Sequence, residues 1–418
     1  MTDYNQELYW REYQHRVAMA AAAAASSRSE LDIAKTEFVK SAFAKNVTPE
    51  EKEAAVKALL KTANGKEIYL ADSDSAEGAT VSAQFKIIMD TLSTATADEK
   101  LVANISLPED ANISTTSSYV VPTGVTLTIG TYASKSVSPR DSETYTISCS
   151  DHLFKAEGGS ITINDGKYKV SGSNKYVIRA GINPTISRKI EDALSSTVTI
   201  NGGTFESDSY VMTHWGNSTT TVNRGTFKSP SSIFAGNGNA WCANANLTIN
   251  GGNFILENNN VDPEGYTAVI GYWPVGNGKL IVEGGTFTID TPQCPATIFA
   301  VRAGNAEITG GTYTISSCDT SLSGKVGDAK TILPSGMFTV TSNTGYQGEP
   351  TATIAANTNN KPEGVADIVV LDSDVDPNFD ALLGDTDQSK YSSIKKYILK
   401  EGIVTEYTES NDEEVTQV

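Results

Sequence analysis

Short runs in which apolar and polar residues alternate, each broken by glycine, recur through the middle of the chain. Six copies share one phrase: Ile161–Tyr168 (ITINDGKY), Val198–Phe205 (VTINGGTF), Thr220–Phe227 (TTVNRGTF), Leu247–Phe254 (LTINGGNF), Leu280–Phe287 (LIVEGGTF) and Ala306–Tyr313 (AEITGGTY). A looser seventh is Thr331–Phe338 (TILPSGMF). Alternation has the period of a strand, and glycine supplies the backbone angles of a tight corner. The predicted unit is strand, corner, then a second strand opened by an aromatic ring.

From Tyr168 the rings follow at intervals of 37, 22, 27, 33 and 26 residues. A recurrence of this size implies stacked units, none of which can bury its apolar face alone. A 22-residue step is too short for a propeller blade, which takes roughly 40 residues. Coils with a fixed corner and loops of variable length fit, and they would pile the rings into an internal ladder. The phrase resembles the coils of right-handed parallel β-helix proteins, the pectate-lyase-like group that includes many phage tailspikes and fibres. The resemblance covers roughly residues 66–345 and implies a mostly β, right-handed parallel β-helix. It does not imply one activity, because such coils carry lyases, hydrolases and inert shafts.

Outside the repeats, residues 3–63 read as helical. Thr48-Pro49-Glu50-Glu51 is a helix start, with cap, proline and acids placed for the first turn, and Asn64-Gly65 ends that helix. A fresh cap at Ser29 and Asp32 precedes Leu31, Phe38 and Phe43. Val81, Phe85, Ile88 and Leu92 share one helical face, with strands expected at Ile68–Leu70, Leu101–Leu107 and Val120–Ile129. Residues 66–130 therefore read as an amino-terminal cap of the solenoid, whose first coil would otherwise expose apolar residues and strand edges. Residues 185–194 read as an inserted helical turn. Thr144–Ile147, His152–Lys155 and Asp367–Leu371 read as strands, and Tyr391–Glu406 as a strand or helix pair. The division expected is a helical segment at 1–65, the β-helix with its cap helix at 66–361, and an acidic carboxyl-terminal cap or assembly domain at 362–418.

Charge narrows the partners. The 418 residues carry a net charge of −18. The helical segment is close to neutral and residues 362–418 are strongly acidic, so a nucleic-acid partner is not expected. Ala20–Ala25 is too short to span a bilayer, and Met1–Leu8 lacks the basic start and apolar run of a secretion signal. Cys149, Cys242, Cys294 and Cys318 are widely separated and histidines number three, so neither a disulfide framework nor a zinc site is expected. Asp372–Asp376 begins like a calcium loop, but Pro377 stands where the EF-hand requires glycine. No metal or cofactor is expected.

A second set of residues keeps pace with the coils. Arg179, Trp215, Trp241, Trp273 and Arg302 each precede an asparagine-led approach to a corner. They are expected on equivalent loops of successive coils, as one stripe. Two readings stay open: a surface on which sugar rings stack and arginines meet acidic or hydroxylated groups, or a self-stacked Arg–Trp ladder shielding the sheet. Asp208, His214, Asp262 and Glu264 are expected in loops beside the stripe, where a paired acid and base could cleave a glycosidic bond, but no diagnostic catalytic motif is present. At the amino end Tyr4, Leu8, Tyr9, Trp10 and Tyr13 form an aromatic segment suited to docking into another protein. With the resemblance, this organisation implies a phage virion protein, of a gut-bacterium (crAss-like) phage. It would be a homo-oligomeric head or tail fibre held by capsid or tail proteins and touching host or mucosal glycans. The alternatives are a tailspike-type polysaccharide depolymerase and a bacterial surface adhesin.

Overall fold

The computed structural model describes residues 30–131, 145–182, 194–236, 245–258, 267–271, 278–291, 296–302, 306–308, 311–318, 337–341, 351–353, 365–371, 393–400 and 403–406. Its body is a parallel β-solenoid. Each coil contributes one strand to each of three sheets; among the described residues these hold 9, 8 and 12 strands, the last five of the 12 following the coils. In one coil, Ser195–Ile200 lies in the first sheet, Thr204–Ser207 in the second and Tyr210–His214 in the third. The next coil repeats this with Asn217–Val222, Thr226–Ser229 and Ser232–Gly236, each parallel to its counterpart below.

The repeated phrase is the corner between the first and second sheets. Gly203, Gly225, Gly252 and Gly285 adopt φ of 105°, 127°, 122° and 110°. Closeness matters as much as angle. A Cβ on Gly203 would stand 2.8 Å from the carbonyl oxygen of Gly166, and one on Gly225 3.0 Å from that of Gly203. Each corner thus rests on the backbone of the one beneath, with no room for a side chain at Gly203 and little at Gly225. Just before the glycines, the Asn201 amide donates to the Asn164 side-chain oxygen (2.9 Å). Asn223 donates to Asn201 and Asn250 to Asn223, both at 2.8 Å.

Inside the corner the expected ring column is present. Tyr168, Phe205, Phe227, Phe254 and Phe287 are fully buried and stack with centroids 5.1, 4.9, 4.9 and 4.7 Å apart, their planes within 17°. Parallel strands hold equivalent residues at the inter-strand spacing, so an in-register ring has little choice but to stack. The exception at the foot of the column is polar. Tyr145 meets Tyr168 edge-on, and both hydroxyls donate to the Asp165 carbonyl, at 2.8 and 3.0 Å.

Three expectations need correction. Val120–Ile129 is two strands, Tyr119–Pro122 of the third sheet and Thr126–Thr131 of the first, because the chain turns at Gly124 with φ 86°. The segment read as a cap therefore contains a full coil, formed by Val102–Leu107, Asn112–Thr115 and Tyr119–Pro122, whose corner lacks the phrase. The seventh copy does not continue the ring column: Phe338 lies in Met337–Thr341, which pairs antiparallel with Ala296–Arg302 in the third sheet. From there Thr351–Thr353, Val365–Leu371, Ser393–Lys400 and Ile403–Glu406 extend the same sheet, and the last two form an antiparallel pair without a helix.

The helices begin with α1 (residues 30–42), α2 (Pro49–Ala63) and α3 (Val81–Ser93). The capping box at Thr48 forms as read: Glu51 N–H donates to the Thr48 hydroxyl, and the Glu51 carboxylate accepts from Thr48 N–H. The expected face of α3 is buried, with Phe85 edge-on to Tyr119 at 5.8 Å. Residue 65 is no break in packing: Phe38, Val39, Val56, Leu59 and Leu60 belong to the same continuous core as the coils. The inserted turn read at 185–194 lies outside the described residues but for Leu194.

Phe227→Ala should cost about 3–5 kcal/mol, because the rings above and below cannot close the gap. Asn223→Ala, which breaks two ladder bonds at a partly exposed corner, should cost about 1–2 kcal/mol. Equilibrium denaturation of both variants checks the ranking.

Candidate functional site

The outer face of the third sheet carries the clearest chemistry among the described residues. Two of its strands, Phe154–Glu157 and Tyr176–Ala180, set Lys155 directly beside Arg179. Alternation turns Phe154 and Ala156 into the core and leaves Lys155 and Glu157 outside. The Arg179 guanidinium, 12% exposed, bonds the Glu157 carboxylate and lies 5.9 Å from the centre of the Tyr176 ring. His152 stacks on the same ring at 3.8 Å, while Lys175 Nζ reaches Asp151 at 2.6 Å. Lys155 makes no hydrogen bond or ion pair among the described residues.

The electrostatics follow from this packing. The bond from Lys175 holds the Asp151 carboxyl down to about 2. Burial lowers His152 to about 4 and raises the Tyr176 phenol to about 12. Lys155 is lowered by burial first and by the Arg179 charge second. With His152 neutral, three cations face two carboxylates, so the cluster can take an anion or a polar hydroxylated group against Lys155.

The stripe is only partly assembled. Arg179 sits within a strand, opposite Thr213, so Trp215 lies two positions further along its coil. Trp215 is half-buried just past Tyr210–His214, where its N–H donates to the Ala180 carbonyl at 2.8 Å. Register through Met212, Phe234, Ile270 and Phe299 gives Trp215 and Arg302 the same place in their coils, each three residues on. Arg302 closes a strand, Ala296–Arg302. Trp241, Trp273, Asp262 and Glu264 lie outside the described residues, as do Tyr4, Leu8, Tyr9, Trp10 and Tyr13 and the calcium-like Asp372–Asp376.

His214 is a core residue, not a loop residue. It is completely buried, its Nε2 stands 3.1 Å from the Thr220 hydroxyl, and desolvation pushes it down to about 3. Asp208 accepts the Gly172 N–H at 3.0 Å. Cys149 has a structural place that spacing alone did not reveal. Thr115, Cys149, Ser207 and Ser229 end strands of the second sheet, and each accepts a backbone N–H two residues on, at 3.1–3.3 Å. The signal was a small side chain bearing oxygen or sulfur at the end of each strand. No group of three or more histidine, cysteine or acidic side chains suited to a metal occurs among the described residues. No helix among them is long and apolar enough to cross a membrane.

Compared with family models, curated proteins and solved structures, the chain matches none.

Half-buried His152 and fully buried His214 both have folded pKa values below the ordinary 6.5, so the unfolded chain binds protons more readily. Stability should be full above about pH 6.5 and fall as pH drops toward 4 and then 3. The double variant His214→Leu with Thr220→Val removes a buried polar pair and should flatten that decline. Denaturation midpoints between pH 7 and pH 4 check it.

Proposed function

We propose that this chain is a structural fibre or decoration protein of a phage virion. Its amino-terminal segment would hold the particle, and its acidic solenoid would project and touch host or mucosal glycans. The observation that carries the reading is the stack itself: eight second-sheet strands in parallel succession around one core, a shaft-like build. The net charge of −18 suits a solvated projection. In this reading the coil is right-handed, as about 98% of parallel crossovers are. The helices close one end, where α3 packs on Asn112–Thr115 and Tyr119–Pro122. The carboxyl-terminal strands close the other, where Ile403–Glu406 comes against Ala306–Ile308, the last strand of the first sheet.

The test is particle incorporation. A chain lacking residues 1–29 should keep its β circular dichroism and thermal transition but be absent from purified particles of the phage that encodes it. The full-length chain, gold-labelled at the carboxyl terminus, should show the label standing off the particle surface in electron micrographs. Normal incorporation of the truncated chain would remove the anchor from this reading.

A polysaccharide depolymerase is the second reading, favoured by Lys155, whose lowered pKa and neighbouring Arg179 suit a base beside an electrophile. Release of reducing ends from capsular or mucosal polysaccharide, abolished in Lys155→Met, is the outcome that would establish it.

A further inference from the structure

The face of the solenoid furthest from expectation is the plain one. On the outside of the first sheet, Thr128, Thr162, Thr199, Thr221 and Thr248 stand in one unbroken register. A second column runs beside it, two residues earlier in each strand: Thr126, Ser160, Thr197, Thr219 and Asn246. Nine of these ten side chains bear hydroxyls, and none is charged, in a chain of net charge −18. All are exposed or half-buried, while Ile161, Val198 and Leu247 between them point into the core. The nine hydroxyls make no hydrogen bond among the described residues. Elsewhere on this chain threonine and serine hydroxyls are put to work, capping helices at Thr48 and Thr80 and closing turns at Ser207 and Ser229.

The array is periodic in two directions. Neighbouring columns stand about 6.6 Å apart along the strand, and successive rungs about 4.7–4.9 Å apart along the solenoid. The rung spacing is comparable to the rise of one sugar unit in an extended polysaccharide. β-Propensity alone accounts for β-branched residues on an outer face. It does not account for threonine in place of valine, isoleucine or a charged residue at five consecutive rungs of one column.

We infer that this hydroxyl face binds an uncharged polysaccharide chain lying along the solenoid axis, about one sugar unit per coil. The chemistry matches on each count. The nine hydroxyls are donors and acceptors with no partner among the described residues, the threonine methyls meet the apolar faces of sugar rings, and the lack of charge imposes no ionic desolvation cost. The inference rests on the glycan-contact part of the proposed function, but it moves the contact from the Arg–Trp stripe to the opposite chemical character and to neutral glycans.

Affinity gel electrophoresis tests it, with dextran, mannan and xyloglucan as neutral probes and alginate and hyaluronan as acidic ones. The full chain should be retarded by at least one neutral polymer. The triple variant Thr162→Val, Thr199→Val, Thr221→Val keeps the β-branched shape and should lose about tenfold or more in affinity. The matching Thr→Ser triple, which keeps the hydroxyls, should retain binding. Matching circular dichroism melts ensure that every variant is compared in the folded state. Retardation by no polymer at all would overturn this inference and the glycan-contact reading together. Retardation that survives the valine triple but is lost in Trp215→Ala, or that appears only with acidic polymers, would overturn this inference and leave glycan contact by the Arg–Trp stripe standing.

Discussion

Parallel pairing in strict register is the constraint on which the rest of this molecule depends. Once Phe205 lies over Tyr168 and Phe227 over Phe205, every other residue of those coils is placed as well. The corner glycines enforce the register from one side, since a Cβ on Gly203 would stand 2.8 Å from the carbonyl below, and one on Gly225, Gly252 or Gly285 would stand 3.0–3.3 Å from it, at a φ that side chains rarely adopt. The Asn164–Asn201–Asn223–Asn250 ladder enforces it from the other, because its amide bonds form only when the four asparagines are level. A slip of one residue would turn the buried set of a strand outward and break the ring stack and the ladder together.

The same register writes columns on the outside. The second sheet carries alternating charge, with Lys167 on Glu206 at 3.0 Å and Lys228 on Glu257 at 2.7 Å. The third sheet gathers a cation-rich cluster around Arg179, and the first presents a neutral hydroxyl lattice. Three faces of distinct chemistry thus emerge from a single short repeat. A solenoid that holds its core constant can vary each outer column at little cost, which is how inert shafts and binding surfaces share one scaffold.

Legibility from sequence differed sharply between core and surface. The ring column, the Thr48 capping box and the buried face of α3 follow from local pattern, and the structure contains all three. The first coil at residues 102–122 was read as a cap because its corner lacks the glycine phrase, although its strands pair in the same order. The third sheet was the least legible. There Val177–Ile178, Val211–Met212 and Ile233–Phe234 bury two consecutive residues, which a strict period of two does not signal. The stripe was displaced as well, because a shared asparagine-led approach gave Arg179 and Trp215 equivalent places, although Asn183 follows four residues after Arg179 and Asn217 only two after Trp215, and register sets the two large residues two apart.

Sequence by itself determined the repeated corner, the ring at its exit and the stacking of coils, because glycine geometry and apolar alternation act within a few residues. Tertiary structure decided which outer residues become neighbours. Lys155 and Arg179 are 24 positions apart and Thr162 and Thr199 are 37 apart, yet each pair is adjacent in register or on the sheet. Those separations vary with loop length from coil to coil, so no fixed spacing along the chain encodes them. Only the paired backbones convert a variable interval into a constant distance.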